Sequence, residues 1–206
     1  NIPTHYIMRE FPNIYEFDND GVGKYISSDF KDLRPKSAHF SQDKEGYWYY
    51  YDEYGQPGVG AETIDGYDMY FHFGTRRQAK GEFVDVNGKV YYFDKDNGRK
   101  VKDTTFDING KTYVADQSGV LSIKSQSTER NRYISDSEGN WYYVNGKGDL
   151  LLGAQTIDNV KVYFDTKGVQ YKGHFAPDHH YYDKDTGALV TDRLVKDGSK
   201  ESYVDK

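Results

Sequence analysis

Apolar positions along this chain come in short, aromatic-rich runs, each cut off by a turn signal before a helical period can develop. In Lys89-Val90-Tyr91-Tyr92-Phe93 the apolar residues are β-branched or aromatic, and the run is too short for a helix. Asp65-Gly66, Asn87-Gly88 and Asn109-Gly110 recur at a spacing of 22 residues. Such pairs supply the positive φ angles of tight hairpin turns. The unit reads as turn, strand, turn, strand. No segment sustains an apolar period of about 3.6 residues through three turns, so helix is not expected.

Successive strand residues point to opposite faces, so Val90 and Tyr92 share one face and Tyr91 and Phe93 the other. Both faces are apolar, and a lone hairpin cannot bury both. Stacked hairpins can, with one face lining a narrow core and the other wedged against the next unit. The expected fold class is all-β: a repeat array of short β-hairpins stacked as a β-solenoid, stabilised mainly between neighbours. A compact β-sandwich is the alternative, and regular internal repetition argues against it.

A longer period overlies the short one. Asp43-Lys44-Glu45-Gly46 with Trp48-Tyr49-Tyr50 returns 93 residues later as Asp136-Ser137-Glu138-Gly139 with Trp141-Tyr142-Tyr143. Gly60-Ala61-Glu62-Thr63-Ile64-Asp65 returns as Gly153-Ala154-Gln155-Thr156-Ile157-Asp158. The register then slips slightly, pairing Lys80-Gly81-Glu82-Phe83 with Lys172-Gly173-His174-Phe175. Residues 41–128 are therefore read as one module and 129–206 as a second copy that stops early. Residues 1–40 hold a partial module, with one unit near 15–30.

Composition sharpens this picture. Leu, Ile, Val and Phe make up only about a fifth of the chain, the level at which disorder becomes a competing reading. With 21 Tyr and 2 Trp, the buried layer can be aromatic instead. A mean hydropathy of −0.92 and 21 Gly argue against a thick aliphatic core. The formal net charge is −6 with no dense basic block, which disfavours nucleic acid as a partner. Zero Cys removes disulfides and thiolate metal sites, and fits a secreted or bacterial cell-surface protein. No apolar run reaches the ~20 residues of a membrane helix. The chain opens on Asn1 without a charged-then-apolar leader, so it is read as part of something longer.

The aromatic doublets, the acidic Gly turns that follow them and the Gly153–Asp158 stretch resemble the glucan-binding repeats (also called YG or cell-wall-binding repeats) of bacterial glucansucrases. The resemblance covers most of 41–206 and, more faintly, 15–30. Choline-binding proteins and clostridial toxins share the general pattern. It implies a non-catalytic module, outside a catalytic barrel, that binds α-glucan polysaccharide and oligosaccharides. The alternatives are a choline/cell-wall-binding or toxin-type module, or a structural spacer. The oligomeric state expected is a monomer.

Sugar recognition needs a flat aromatic face with a few donors and acceptors fixed beside it. The informative signature is Gln78-Ala79-Lys80-Gly81 and its counterpart Gln170-Tyr171-Lys172-Gly173. Residues two apart on a strand share a face roughly 6.6 Å apart, a spacing that suits an amide and an ammonium on one pyranose ring. Tyr70 and Tyr163 precede them on the neighbouring strand. In the related repeats a stacking Tyr works with the Gln-x-Lys pair and a Thr. The resemblance thus implies sites at Thr63, Tyr70, Gln78 and Lys80, and at Thr156, Tyr163, Gln170 and Lys172. Arg99-Lys100-Val101-Lys102 lacks the Gln, and Leu189-Val190-Thr191-Asp192 lacks both partners. Trp48 and Trp141 are read as wedges between hairpins, and two Trp are too few for a choline cage in every unit.

No cofactor or metal is expected. The turns at Asp18-Asn19-Asp20-Gly21, Asp94–Gly98 and Asp183–Gly187 resemble the opening of a calcium loop but lack its remaining oxygen ligands and closing Glu. His179-His180 lacks partners for zinc. The 33 carboxylates recur in turns, whereas an active site is built once, so a catalytic residue is not expected.

Overall fold

Asp65 and Gly66 take φ values of 51° and 80°, Asn87 and Gly88 54° and 77°, and Asn109 and Gly110 49° and 76°. Two consecutive positive φ angles match the right-handed twist of flanking strands, so each pair closes a two-residue hairpin. The computed structural model describes residues 6–10, 13–17, 23–27, 38–198 and 200–204, and every helix or strand among them is a strand. The Asp18–Gly21 turn and Phe30 lie outside the described residues.

The chain forms two compact units, Asn1–Ala79 and Lys80–Lys206. In the first, β1 (Tyr6–Glu10), β2 (Asn13–Phe17) and β3 (Gly23–Ser27) make an antiparallel three-stranded sheet. Two hairpins follow: β4 (His39–Gln42) with β5 (Trp48–Tyr51), and β6 (Gly60–Ile64) with β7 (Tyr67–Phe71). Ile64, Met69 and Phe71 are buried together, with Phe40 and Tyr50 packed on them.

The second unit opens with the hairpin β8 (Glu82–Val86) and β9 (Lys89–Phe93). Then come β10 (Thr104–Ile108), β11 (Lys111–Ala115), β12 (Leu121–Lys124), β13 (Arg132–Ser135), β14 (Trp141–Val144) and β15 (Asp149–Leu150). These six form one antiparallel sheet in the order β10-β11-β12-β15-β14-β13. Three hairpins complete the unit: β16 (Gly153–Ile157) with β17 (Val160–Phe164), β18 (His174–Phe175) with β19 (Tyr181–Tyr182), and β20 (Arg193–Asp197) with β21 (Lys200–Val204). A core cluster of this unit joins Val90, Tyr113, Leu121, Ile123, Val144 and Leu152, with Phe83, Tyr92 and Phe106 packed against it. Aromatic rings pack on one another beside this cluster. Phe83 lies 4.9 Å from Tyr113, and Tyr92 5.1 Å from Phe106.

The long repeat is visible in the strands. β6 and β16 have the same length and the same alternation of burial, and both hairpins end on a fully buried Phe, Phe71 or Phe164. After several hairpins a single residue bridges back to the last strand: Pro57 to Tyr51, Gln78 to Phe71, Lys100 to Phe93, Gln170 to Phe164 and Leu189 to Tyr182. The acidic turns have a local explanation. Asp43, Asp52, Asp116, Asp136 and Asp165 each accept, through Oδ1, the N–H groups two and four residues on. Asp94 and Asp183 do the same for the N–H groups two and three on. These carboxylates are spent on their own backbones, the ordinary role of Asp in a turn.

Candidate functional site

The bridge that follows a hairpin fixes Gln and Lys of the repeated signature. Gln170 pairs with Phe164, its N–H donates to the Trp141 carbonyl at 2.8 Å, and Tyr171 N–H donates to the Tyr163 carbonyl at 2.8 Å. In the first unit the Gln78 N–H donates in the same way to the Trp48 carbonyl at 2.7 Å, and Ala79 N–H to that of Tyr70 at 2.8 Å. Each signature Gln is thereby tied to its own Trp strand.

The side chains diverge. Gln78 and Gln170 are both only 7% exposed. Gln78 Nε2 lies 3.2 Å from Met69 Sδ, and Gln170 Nε2 lies 3.4 Å from the Thr186 carbonyl. Gln170 packs so closely on the Asp183–Gly187 turn that a Cβ at Gly187 would sit 2.3 Å from its amide nitrogen. The two lysines are less buried. Lys172 Nζ donates to the Asp185 carbonyl at 3.1 Å, and Lys80 Nζ to the Asp96 carbonyl at 2.8 Å. In both copies, then, the signature Lys grips the middle of the following acidic turn. The sequence pattern gave no sign of that contact.

Tyr163 and Tyr70 are buried, at 2% and 8% exposure. Tyr163 has Tyr171 edge-on at 5.2 Å and Tyr182 at 5.9 Å, and its hydroxyl donates to Asp85 Oδ2. Burial first, and then the Asp85 carboxylate, push its phenol far above the ordinary range. Tyr70 has His72 and Phe73 edge-on at 5.7 and 6.4 Å. The exposed ring beside the second signature is instead Trp141, 41% exposed, with Lys172 Nζ 5.3 Å from its centroid. Trp141 was expected as a wedge. It begins β14 at the surface, where its ring faces the signature lysine.

Thr63 and Thr156 occupy equivalent strand positions with different partners. Thr63 Oγ1 donates to Asp68 Oδ1 at 2.9 Å. Thr156 is exposed and faces Lys161 across its hairpin. It lines a cleft of about 300 Å³ with Gln155, Lys161, Asp178, His180 and Tyr182, and with Ala154, Val162 and Leu189 as apolar walls. Gln170 and Lys172 do not line this cleft. Thus the structure brings Gln170, Lys172 and Trp141 together and sets Thr156 in a separate recess.

The surrounding charges are held firmly. Tyr182 donates to Asp178 Oδ2 at 2.7 Å, and burial followed by that carboxylate raises its phenol. His180 Nδ1 lies 3.4 Å from the same Asp178 oxygen. Asp183 is kept well below the usual carboxylate range by the Thr186 N–H and hydroxyl and by Arg193, whose guanidinium is 2.8 Å away. No group of three or more His, Cys, Asp or Glu suited to a metal occurs among the described residues.

The choline-binding repeat family matches residues 59–106 and 151–194, the two stretches that hold the Gln-x-Lys signatures. Glucosyltransferase-S of Streptococcus mutans serotype c is 32% identical over 76% of this chain and 9% of its own length. Glucosyltransferase-I of Streptococcus downei is 30% identical over 93% of this chain and 11% of its own. A solved structure of alternansucrase in complex with isomaltononaose is 25% identical over 95% of this chain and 19% of that one, with a TM-score of 0.37. The chain is a repeat module resembling choline/cell-wall-binding and glucan-binding repeats, and it spans about a tenth of the glucosyltransferases it matches. It corresponds to a repeat region of such proteins and not to a catalytic core. The likeness supports a secreted or cell-surface location. No helix among the described residues is long and apolar enough to cross a membrane.

Proposed function

We propose that this module binds α-glucan chains of the dextran type through repeated shallow sugar pockets, as an accessory domain of a glucansucrase. In this reading the chain is a monomer, organised as modules at 1–40, 41–128 and 129–206, and its hairpins stack as a β-solenoid. The pockets form around the two Gln-x-Lys signatures. Gln78 and Lys80 work with Thr63 and Tyr70 of the preceding hairpin. Gln170 and Lys172 work with Tyr163 of the preceding hairpin and Trp141 as the exposed ring, while Thr156 lies in a separate recess. The observation that carries the proposal is the pairing of Trp141 with Lys172. The indole is 41% exposed and leaves ring surface for sugar C–H groups, and the ammonium over one face, anchored by the Asp185 carbonyl, offers donors to ring hydroxyls.

The match to the choline-binding repeat family favours a second reading, capture of a quaternary ammonium. Such a ligand needs aromatic faces free of other cations. Among the described residues, aromatic faces carry the chain's own cations: Arg77 lies 3.5 Å over Tyr47, Lys100 5.0 Å over Tyr91, and Lys172 5.3 Å over Trp141. A neutral polyol tolerates that arrangement, whereas choline is repelled by it.

Affinity electrophoresis through dextran, with choline and an unrelated polysaccharide as competitors, tests the proposal. Retardation by dextran that choline does not relieve supports glucan binding. Retention on a choline matrix without retardation by dextran assigns the module to the second reading.

A further inference from the structure

We propose that Asn109-Gly110, the turn of the β10–β11 hairpin, is a site of spontaneous covalent modification. There the asparagine converts to aspartate and isoaspartate, while the fold holds the other Asn-Gly pairs of the chain unreactive. The dipeptide occurs four times, at Asn87-Gly88, Asn97-Gly98, Asn109-Gly110 and Asn145-Gly146. Each copy offers the same local chemistry, so the surroundings decide where it happens.

The reaction needs only water. The glycine nitrogen gives up its proton to solvent and attacks Cγ of the asparagine side chain. A new C–N bond forms, the bond from Cγ to the side-chain nitrogen breaks, and that nitrogen leaves as ammonia with a proton from water. The five-membered imide then adds a water molecule. Opening at the side-chain carbonyl gives aspartate. Opening at the backbone carbonyl gives isoaspartate, whose main chain runs through Cβ. The sum is a loss of ammonia and a gain of water, with nothing oxidised or reduced. Glycine favours the first step because no Cβ obstructs the approach of its nitrogen.

The other pairs have their reacting groups engaged. Gly88 is buried, its N–H donates to Asp85 Oδ1 at 2.8 Å, and its carbonyl accepts the Ala154 N–H at 2.8 Å. A carboxylate against that N–H opposes loss of the proton, and the docked turn cannot swing. Gly98 N–H donates to the Asp94 carbonyl at 2.8 Å, and Asn97 Oδ1 accepts the Arg99 N–H at 2.8 Å. Asn145 Oδ1 accepts the N–H groups of Lys147 and Asp149 at 2.9 and 3.0 Å, which fixes its side chain over the residues that follow.

Asn109-Gly110 differs on each point. Both residues are exposed, which holds for no other Asn-Gly pair of the chain. Among the described residues, neither the Asn109 side chain nor the Gly110 N–H has a hydrogen bond. Asp107 precedes Gly110 as Asp85 precedes Gly88, but its Oδ1 accepts the Thr112 hydroxyl instead. A Cβ at Gly110 would meet nothing within 4 Å, so the turn has room for the imide ring.

Isoaspartate lengthens the main chain at the turn that sets the Ile108–Lys111 register. β10 lies at the edge of the six-stranded sheet, and Phe106 and Tyr113 pack on Tyr92 and Phe83 of the preceding hairpin. The modification therefore loosens the contact between two successive hairpins.

The test incubates the full chain in mildly alkaline buffer, folded in one arm and unfolded in urea in the other. Peptide mass spectrometry follows conversion at each pair, and enzymatic methylation of isoaspartyl carboxylates reports the isoaspartate. In the folded chain Asn109 should convert on the order of tenfold or more faster than Asn87, whose turn must first open and break a hydrogen bond to a charged group. In urea the four pairs should react at similar rates. Equal conversion of Asn109 and Asn87 in the folded chain overturns the proposal, and so does a preference for Asn109 that persists in urea. The isolated isoaspartate fraction should unfold at lower urea than Asn109→Asp, whose main chain is unaltered. Equal midpoints overturn the loosening of the hairpin contact.

Discussion

The Tyr163 hydroxyl donates to the carboxylate of Asp85, 78 residues earlier in the chain. The other oxygen of Asp85 accepts the Gly88 N–H at 2.8 Å, and the Gly88 carbonyl accepts the Ala154 N–H at 2.8 Å. One carboxylate therefore shapes the Asn87-Gly88 turn and docks it on the β16–β17 hairpin. The tyrosine that the resemblance casts as a sugar platform holds two distant hairpins together. Tyr163→Phe should keep the ring and lose the bond, destabilising the chain by roughly 1–3 kcal/mol, the cost of a partly buried acceptor stripped of its donor. Urea unfolding measures that loss. An unchanged midpoint means the bond is not a fixed part of the native state.

Gly88 separates packing from backbone strain. A Cβ there would lie 2.6 Å from the Ala154 Cβ, whereas at Gly66, which has a similar positive φ of 80°, nothing lies within 4 Å. Gly66→Ala should cost about 1–2 kcal/mol, for the left-handed backbone alone. Gly88→Ala should cost a further ~1–3 kcal/mol for overpacking. Equal losses in thermal unfolding of the two variants would show that the Gly88–Ala154 approach is looser than described.

Asp136 and Tyr142 set opposite limits in pH. The Asn140 side-chain amide first, and then the Tyr142 hydroxyl and backbone N–H groups, lower Asp136 to about 2. Burial and the Asp136 carboxylate raise Tyr142 to about 12. A depressed carboxylate contributes stability that is present above its unfolded value, near 4, and lost as pH falls through about 2. A raised phenol contributes stability that is complete below about 10 and lost as pH rises through about 12. Thermal melts from pH 5 to pH 2 should decline less steeply in Asp136→Asn than in the parent. Parallel declines would remove this turn from the acid response.

Local signals were legible in the sequence, and distant ones were not. The Asn-Gly and Asp-Gly hairpins followed from backbone sterics at two adjacent residues, so they were readable. The Asp158-Asn159 turn adopts the same paired positive φ values, 49° and 67°, without a glycine, and left no such mark. The six-stranded sheet was missed because β12 pairs with β15 through Ile123 with Leu150 and Lys124 with Asp149, a contact set by tertiary burial. Among the site residues, the Gln-x-Lys spacing located the bridge segments. It could not report that Gln170 is buried against a turn or that Trp141 is the exposed ring.

Salt offers an independent check on the kind of ligand. A neutral glucan releases no counterions, so its binding should weaken only slightly between low and moderate ionic strength. Isothermal titration with dextran at fixed pH measures this. A steep loss would point to a charged ligand and away from an α-glucan.

The most direct test of glucan binding compares the parent with the quadruple variant Q78A/K80A/Q170A/K172A in equilibrium binding to dextran. A single shallow site holds a short oligosaccharide at roughly micromolar to millimolar strength. A polymer that spans two sites gains ~10²–10⁴ from effective concentration alone. Either double variant should therefore lose most polymer retention while keeping one oligosaccharide site, and the quadruple variant, confirmed as folded by circular dichroism, should not retain dextran. A folded quadruple variant that holds dextran as well as the parent would contradict the account and leave these glutamines and lysines as structural links between hairpins.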